Sequence, residues 1–267
     1  MTMAFAVAVT GCASGGAPAS EPSAGNQSSS GETVKVRVAA ASDLQFALEE
    51  VADAMAEKHP EIELAVSYGS SGTFFQQLTN GAPFDVYLSA DLSYPQQLAE
   101  AGLADPGDVF EYAVGRLVVW ATNSSPVDPT VGLSALTTPE AKRVAIGDPA
   151  HAPYGAAAVA AMKTAGIYEE VKDKFVLGES ISQAAEFART GNAQVGVIAL
   201  SLAMAPEMAD EGRWSEVPLD SFPELRQGGV VLGSAADPAA ARTFRDFLIS
   251  DEGRAILKSY GFYEPGQ

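Results

Sequence analysis

The chain has 267 residues, 47% of them hydrophobic, with 16 Lys and Arg against 34 Asp and Glu and a formal net charge of -18. That length and apolar content suffice to bury a sizeable core, in one large or two smaller domains, and exclude disorder throughout. The acidic balance argues against nucleic acid and anionic membrane surfaces as partners, because phosphate contacts need clustered cations, and it leaves any anionic ligand to a few short-range donors.

In chain order, the first segment is MTMAFAVAVTGCASGG, an apolar run too short to span a bilayer as a helix. Its end, Val9-Thr10-Gly11-Cys12, resembles the lipobox of a bacterial lipoprotein signal peptide, in which small residues precede a cysteine that becomes the lipidated N-terminus. Cys12 is the only cysteine, which excludes a disulfide framework. No Lys or Arg precedes Lys35, a departure from the positive charge with which signal peptides begin. Residues 13–32 are mostly Gly, Ser, Ala and Pro, the composition of a flexible tether, so 1–32 is assigned to signal peptide and tether.

Val34, Val36 and Val38 then alternate with Lys35 and Arg37, the period of a strand. The period changes to helical at Leu44, Ala47, Leu48, Val51 and Met55, and Pro60 ends that helix. The run IELAVSY predicts a second strand, followed by a short helix that stops near Asn80-Gly81. FDVYLSA reads as a third strand, with a helix from about Tyr94 to Ala101 after it. RLVVWAT, KRVAIGD, KFVLGES, AQVGVIALS and GGVVLGS complete eight predicted strands, and two helices, Ala239 to Ile249 and Asp251 to Tyr260, close the chain. Strands alternating with Ala-rich helical segments predict an α/β fold with parallel sheets covered on both faces. The pattern leaves open whether the strands form one wide sheet or two smaller ones.

In open α/β sheets, ligands bind beyond the carboxyl ends of strands. The junctions there are AAASDL with Ser42, YGSSGTF with Ser70 and Ser71, GDPAHAPYG with Tyr154, GESISQ with Ile181, and VIALS with Ala199 and Ser201. They carry hydroxyls, glycines and small residues but no Lys or Arg. A helix N-terminus can hold an anion without a cationic side chain, through unpaired N–H groups and about half a positive charge. Ser42 and Ser71 stand where N-caps would, a role that by itself explains a serine. A nucleophilic serine needs a base in reach. His59 reads as a solvated helix end, and His151 is the one histidine placed to approach Ser71, yet YGSSGTF is not the G-x-S-x-G elbow of hydrolases. No metal-ligand spacing, P-loop or dinucleotide fingerprint is present.

Taken in order, VAAASDL, SYGSSGTFFQQL, GAPFDVYLSAD, VAIGDPAHAPYG and LKSYGF resemble the periplasmic molybdate-binding proteins that feed ABC transporters, from about Val34 to Phe262. The GAPFDV run is shared more widely among related binding proteins. The resemblance implies a type II periplasmic-binding-protein fold: two α/β lobes, each a mainly parallel sheet flanked by helices, joined by two or three hinge strands around a ligand cleft. Lobe 1 would comprise about 33–112 plus 222–267, and lobe 2 about 113–221. Ser42 and Ser71 would donate hydroxyl and backbone N–H, Ser70 would add to them, and Tyr154 and Ile181 would donate backbone N–H. Asp43 would supply only its N–H, its carboxylate complementing a helix dipole; a carboxylate aimed into the cleft would instead accept a proton and favour hydrogen phosphate. Some members add a tyrosine hydroxyl where this chain has Ala199.

The implied function is that of an extracytoplasmic binding protein, anchored to the membrane through Cys12, that presents molybdate, and tungstate too, to the permease subunits of an ABC transporter. It would act as a monomer, without cofactor or catalysis. The alternatives are another oxyanion, sulfate or phosphate, and, from a different class, a serine hydrolase.

Overall fold

The computed structural model describes residue 2 and residues 33–266; Cys12 and the tether lie outside the described residues. The first half of the fold runs β1 (Val34–Ala41), a 3-10 turn (Ser42–Leu44), α1 (Gln45–Lys58), β2 (Ile62–Gly69), α2 (Ser71–Thr79), β3 (Val86–Ser89), α3 (Ser93–Glu100), β4 (Val109–Gly115) and β5 (Leu117–Thr122). It continues with β6 (Val144–Gly147), α4 (Pro153–Thr164), α5 (Tyr168–Val171), β7 (Phe175–Gly178), α6 (Ile181–Arg189) and β8 (Val195–Ala199). The last elements are α7 (Leu200–Ala203), α8 (Pro206–Ala209), β9 (Gly212–Glu216), β10 (Leu225–Val231), α9 (Pro238–Leu248) and α10 (Asp251–Ser259).

These strands form two five-stranded sheets, in the orders β2-β1-β3-β10-β4 and β7-β6-β8-β5-β9, and each sheet with its helices is a lobe. The sheets are mixed rather than mainly parallel. β1 pairs parallel with β2 and β3, and β6 with β7 and β8, as helical crossovers require. β10 and β5 instead pair antiparallel with both neighbours. The physical reason is that β4 leaves the first lobe and β10 returns to it, and strands of opposite direction need no crossover helix. The chain passes between sheets at Gly115 and Arg116, and again through 217–224. Two strands escape the sequence pattern: β4, where VFEYAVG lacks clean alternation, and β9, a largely exposed GRWSE edge strand.

In the first lobe the period-two pattern of β1 does what alternation requires. Val36, Val38 and Ala40 face α1 and α9, packing with Leu48, Val51, Met55, Phe244 and Leu248. Ala39 faces the other way, into a cluster with Phe74, Leu78, Tyr87, Leu98 and Val230. The second lobe packs Trp120, Ile146, Val195 and Val197 against alanines of α4 (Ala158, Ala161) and α6 (Ala184, Ala185, Ala188). Such small side chains let both helices lie close to the sheet, so their N-termini sit directly at the ends of β6 and β7.

Backbone geometry at those ends explains the glycines. A Cβ on Gly155, in the first turn of α4, would fall within 2.6 Å of the Gly147 carbonyl carbon and 3.1 Å of Pro149 N. One on Gly178, ending β7, would lie 2.6 Å from Ala184 N. Only glycine permits these approaches.

Candidate functional site

The loops at the carboxyl ends of β1, β2, β6 and β7 meet between the lobes. They enclose a pocket of about 190 Å³ lined by Ala41, Ser42, Asp43, Gly69, Ser70, Ser71, Ala90, Ala152, Pro153, Tyr154 and Ile181. All six ligand-binding residues expected from the sequence are therefore brought together, Ser42, Asp43, Ser70 and Ser71 from one lobe and Tyr154 and Ile181 from the other. Each is buried, Asp43 and Ser71 with only 1% of their surface exposed.

The serines do not cap their helices. Ser70 occupies the N-cap position of α2 and Ser42 opens the 3-10 turn, yet neither turn receives a side-chain capping bond. Their hydroxyls work across the structure. Ser71 Oγ accepts from Ala90 N at 3.0 Å, and Ser42 Oγ accepts from Ser182 N of the other lobe at 3.2 Å. Accepting a bond through a lone pair leaves each hydroxyl proton available to a ligand. Ser71 is also held from below, where the buried Tyr87 hydroxyl donates to its carbonyl at 2.7 Å.

The backbone supplies the rest of the donors. Ser71, Tyr154 and Ile181 stand in the first turns of α2, α4 and α6, so their N–H groups have no intrahelical acceptor, and they make no other hydrogen bond among the described residues. Three helix N-termini thus add partial positive charge at one point. No Lys or Arg lines the pocket. The arrangement can hold a small anion through neutral donors, with the ion excluded from water once the lobes meet.

Lobe contact is built from the same loops. Gly72 N donates to His151 O at 2.9 Å, and Ser70 Oγ donates to the same carbonyl. Ser201 Oγ donates to Asp43 O at 2.8 Å. His151 approaches Ser70 rather than Ser71, its Nδ1 lying 3.1 Å from Ser70 Oγ. The serine's proton is already committed to a carbonyl, and Asp148 Oδ2 stands 3.6 Å from His151 Nε2, beyond hydrogen-bond range. In this geometry Ser70 directs its proton to the carbonyl and not to the histidine.

Asp43 and Tyr154 differ most from what their sequence positions suggest. The Asp43 carboxylate is not at a solvated helix end but buried, with Oδ2 accepting from Gln227 Nε2 at 2.6 Å. Gln227, on β10, also donates to the Tyr154 hydroxyl at 2.9 Å, so the Tyr154 side chain, and not only its backbone, ties the lobes together. Gly115 makes room for this cluster, since a Cβ there would lie 2.8 Å from Gln227 Nε2 and closer still to the tyrosine oxygen. Sequence reasoning missed Gln227; its one signal is an uncharged polar residue inside the apolar run LRQGGVV. Burial pushes the Asp43 carboxyl up to about 6, against hydrogen bonds from Gln227 and Tyr154 that lower it. Burial likewise drives the Tyr154 and Tyr112 hydroxyls well above their ordinary value.

A stability experiment reads this burial. A carboxyl raised on folding stabilises the fold fully below its unfolded value and loses that contribution as pH rises through the folded one. Wild type is therefore expected to lose stability relative to Asp43→Asn as pH increases from about 4 to about 6, with the difference constant above that. Urea unfolding of both proteins across this range measures it, and parallel curves would assign the slope elsewhere.

Comparison with known proteins agrees with this geometry. Residues 36–263 match the family model of the bacterial extracellular solute-binding proteins. The chain is 44% identical over 196 residues to the molybdate-binding protein ModA of Rhodobacter capsulatus, covering 73% of this chain and 75% of that one. It is 36% identical over 231 residues to the ModA of Azotobacter vinelandii, covering 86% and 90%. The solved structure of the Azotobacter vinelandii periplasmic molybdate-binding protein superposes with a TM-score of 0.81 at 30% identity, over 86% of this chain and 99% of that one.

Proposed function

The chain belongs to the bacterial extracellular solute-binding proteins, within their molybdate-binding group, and from that premise we propose that it captures molybdate between its lobes and delivers it to the permease of an ABC transporter. The observation that carries this reading is the convergence of Ser42, Ser70, Ser71, Tyr154 and Ile181 on one pocket without a cationic side chain. A fully ionised tetrahedral oxyanion needs donors from several directions and no acceptor. Two hydroxyls and three free N–H groups from both lobes meet that need.

Tungstate, with the same charge and shape, enters the same cradle on this reading. Capture is a shift between open and closed lobes, because the ion bonds to both halves only when they meet. The moving bodies are about 33–112 plus 222–267 and about 113–221. The protein works as a monomer outside the cytoplasm, held to the membrane by a lipid on Cys12, and releases its ligand unaltered.

Calorimetric titration of ion-free protein with molybdate, tungstate, sulfate and phosphate at fixed salt tests the proposal. Binding of the first two is expected, and its absence would sink the central claim; tight binding of sulfate or phosphate alone would reassign the ion. Ser42→Ala and Ser71→Ala are each expected to weaken molybdate binding by roughly 1–3 kcal/mol, the scale of a hydrogen bond to a charged group. Unchanged affinity in both would leave the hydroxyls with structural bonds only.

A further inference from the structure

Asp43 lines the pocket proposed for a dianion, and its buried carboxylate is incompletely bonded. Asp43 Oδ2 is held by Gln227 Nε2, but Asp43 Oδ1 is buried with no partner, and so is Gln227 Oε1. Two buried acceptors in one cluster lack a donor. Its hydrogens leave the cluster one donor short: Gln227 Nε2 serves both Asp43 and Tyr154, Ser201 Oγ serves the Asp43 carbonyl, and the Tyr154 hydroxyl proton, directed at the Asp43 carboxyl, can serve only one of the two acceptors. One added proton on the carboxyl would supply the missing donor.

We propose that Asp43 takes up a proton from solvent as the oxyanion enters, so that the ion is captured with one proton and both leave together when the lobes open. This rests on the oxyanion reading above. The balance is simple: the Asp43 carboxylate gains H⁺ from water or buffer, becoming a neutral acid, and the ligand stays a dianion. The cause is like-charge repulsion at short range in a low-dielectric site from which the lobes exclude water. Asp43 already sits at about 6 by burial, close enough to neutrality for an adjoining dianion to complete the step near pH 7.

The groups facing Asp43 leave no other acceptor beside it. Tyr154 from α4 and Tyr112 from β4 are both kept protonated by burial, Gln227 from β10 is neutral, and α7 contributes the Ser201 hydroxyl. His151 lies across Ser70 and is the one other titratable side chain bonded into the site.

Asp43 is in this sense a specificity-determining residue: it links affinity for an unprotonated dianion to pH and handicaps such ions above neutrality. Titration of the protein with sodium molybdate at pH 7 in buffers of different ionisation enthalpy counts the protons. Uptake approaching one proton per ion is expected, with affinity falling by up to about tenfold per pH unit between pH 6.5 and 8. Asp43→Asn is expected to show no uptake and a flat affinity over that range. Molybdate binding without proton uptake by wild type would overturn the inference and leave the molybdate reading standing. Uptake that persists in Asp43→Asn would move the proton to His151 and equally overturn it. Absence of molybdate binding would overturn the functional reading and this inference with it. If Asp43→Asn does not fold, His151→Asn replaces it: uptake retained there leaves the proton on Asp43, and uptake lost there overturns the inference.

Discussion

Gly155→Ala is expected to lower the unfolding free energy by about 3 kcal/mol and, in the folded fraction, to weaken molybdate binding about ten- to hundredfold. The new methyl group has nowhere to go. It would press on the Gly147 carbonyl group and on Pro149 N, which are backbone atoms that no rotamer change can move. Relief requires α4 to lift from the end of β6, and α4 carries the Tyr154 N–H into the pocket from its first turn. The same shift pulls the Tyr154 hydroxyl away from Gln227. Thermal unfolding and calorimetry on one preparation measure both effects. A variant as stable as wild type, with unchanged affinity, would show that the Pro-Tyr-Gly turn does not position the donor.

Asp85→Ala is expected to destabilise the protein by about 3 kcal/mol while leaving the affinity of the folded protein unaltered. Asp85 is buried just before β3 and accepts four hydrogen bonds: from Arg37 N at 2.7 Å, Arg37 Nε at 3.0 Å, Arg37 Nη2 at 2.9 Å and Ala236 N at 2.8 Å. Burial alone would raise its carboxyl, but Arg37 and the two backbone donors outweigh it and hold the group below its ordinary value. It fastens β1, the start of β3 and the loop before α9. Removing it takes the acceptor from two partly buried backbone N–H groups, of Arg37 and Ala236, although both these groups and the Arg37 guanidinium can reach water, which keeps the loss at the lower end for a broken buried pair. The pocket lies beyond the opposite end of β3, roughly 13 Å away at strand rise. Thermal unfolding reads the loss, expected as a fall in Tm of about 6–12 °C. A loss of affinity comparable to the loss of stability would mean that the two ends of β3 are coupled.

This pair also explains a motif. GAPFDV reads in the sequence only as a turn leading into a strand, shared among related binding proteins. Its aspartate is the anchor of the first lobe and touches no ligand-binding residue. The GDPAHAPYG loop has a double role of the same kind, since His151 closes the lobes through its backbone carbonyl while Tyr154 serves the pocket and the buried cluster beneath it.

Much of the candidate site was legible in the chain because local rules govern it. Helix N-termini must follow the strands of an α/β sheet, and small hydroxyl residues at those junctions leave N–H groups free, so Ser42, Ser71, Tyr154 and Ile181 could be named from position and resemblance. Alternation in β1 and helical spacing in α1 likewise predicted which residues are buried. What the serine hydroxyls do was not legible. Local propensity makes a serine before a helix a cap, whereas Ser42 and Ser71 spend their lone pairs on Ser182 and Ala90, 140 and 19 residues away in sequence.

The sequence by itself thus determined the α/β class, the strand and helix spacing that builds each lobe, and the set of neutral donors at the strand ends. These follow from periodicity and backbone chemistry within a few residues. Only the tertiary structure decided that the sheets are mixed, that His151 meets Ser70 rather than Ser71, and that Asp43 is buried against Gln227 and Tyr154. Each of these depends on which distant strands become neighbours. Burial and dielectric, which set the charge of Asp43, exist only after the lobes have packed.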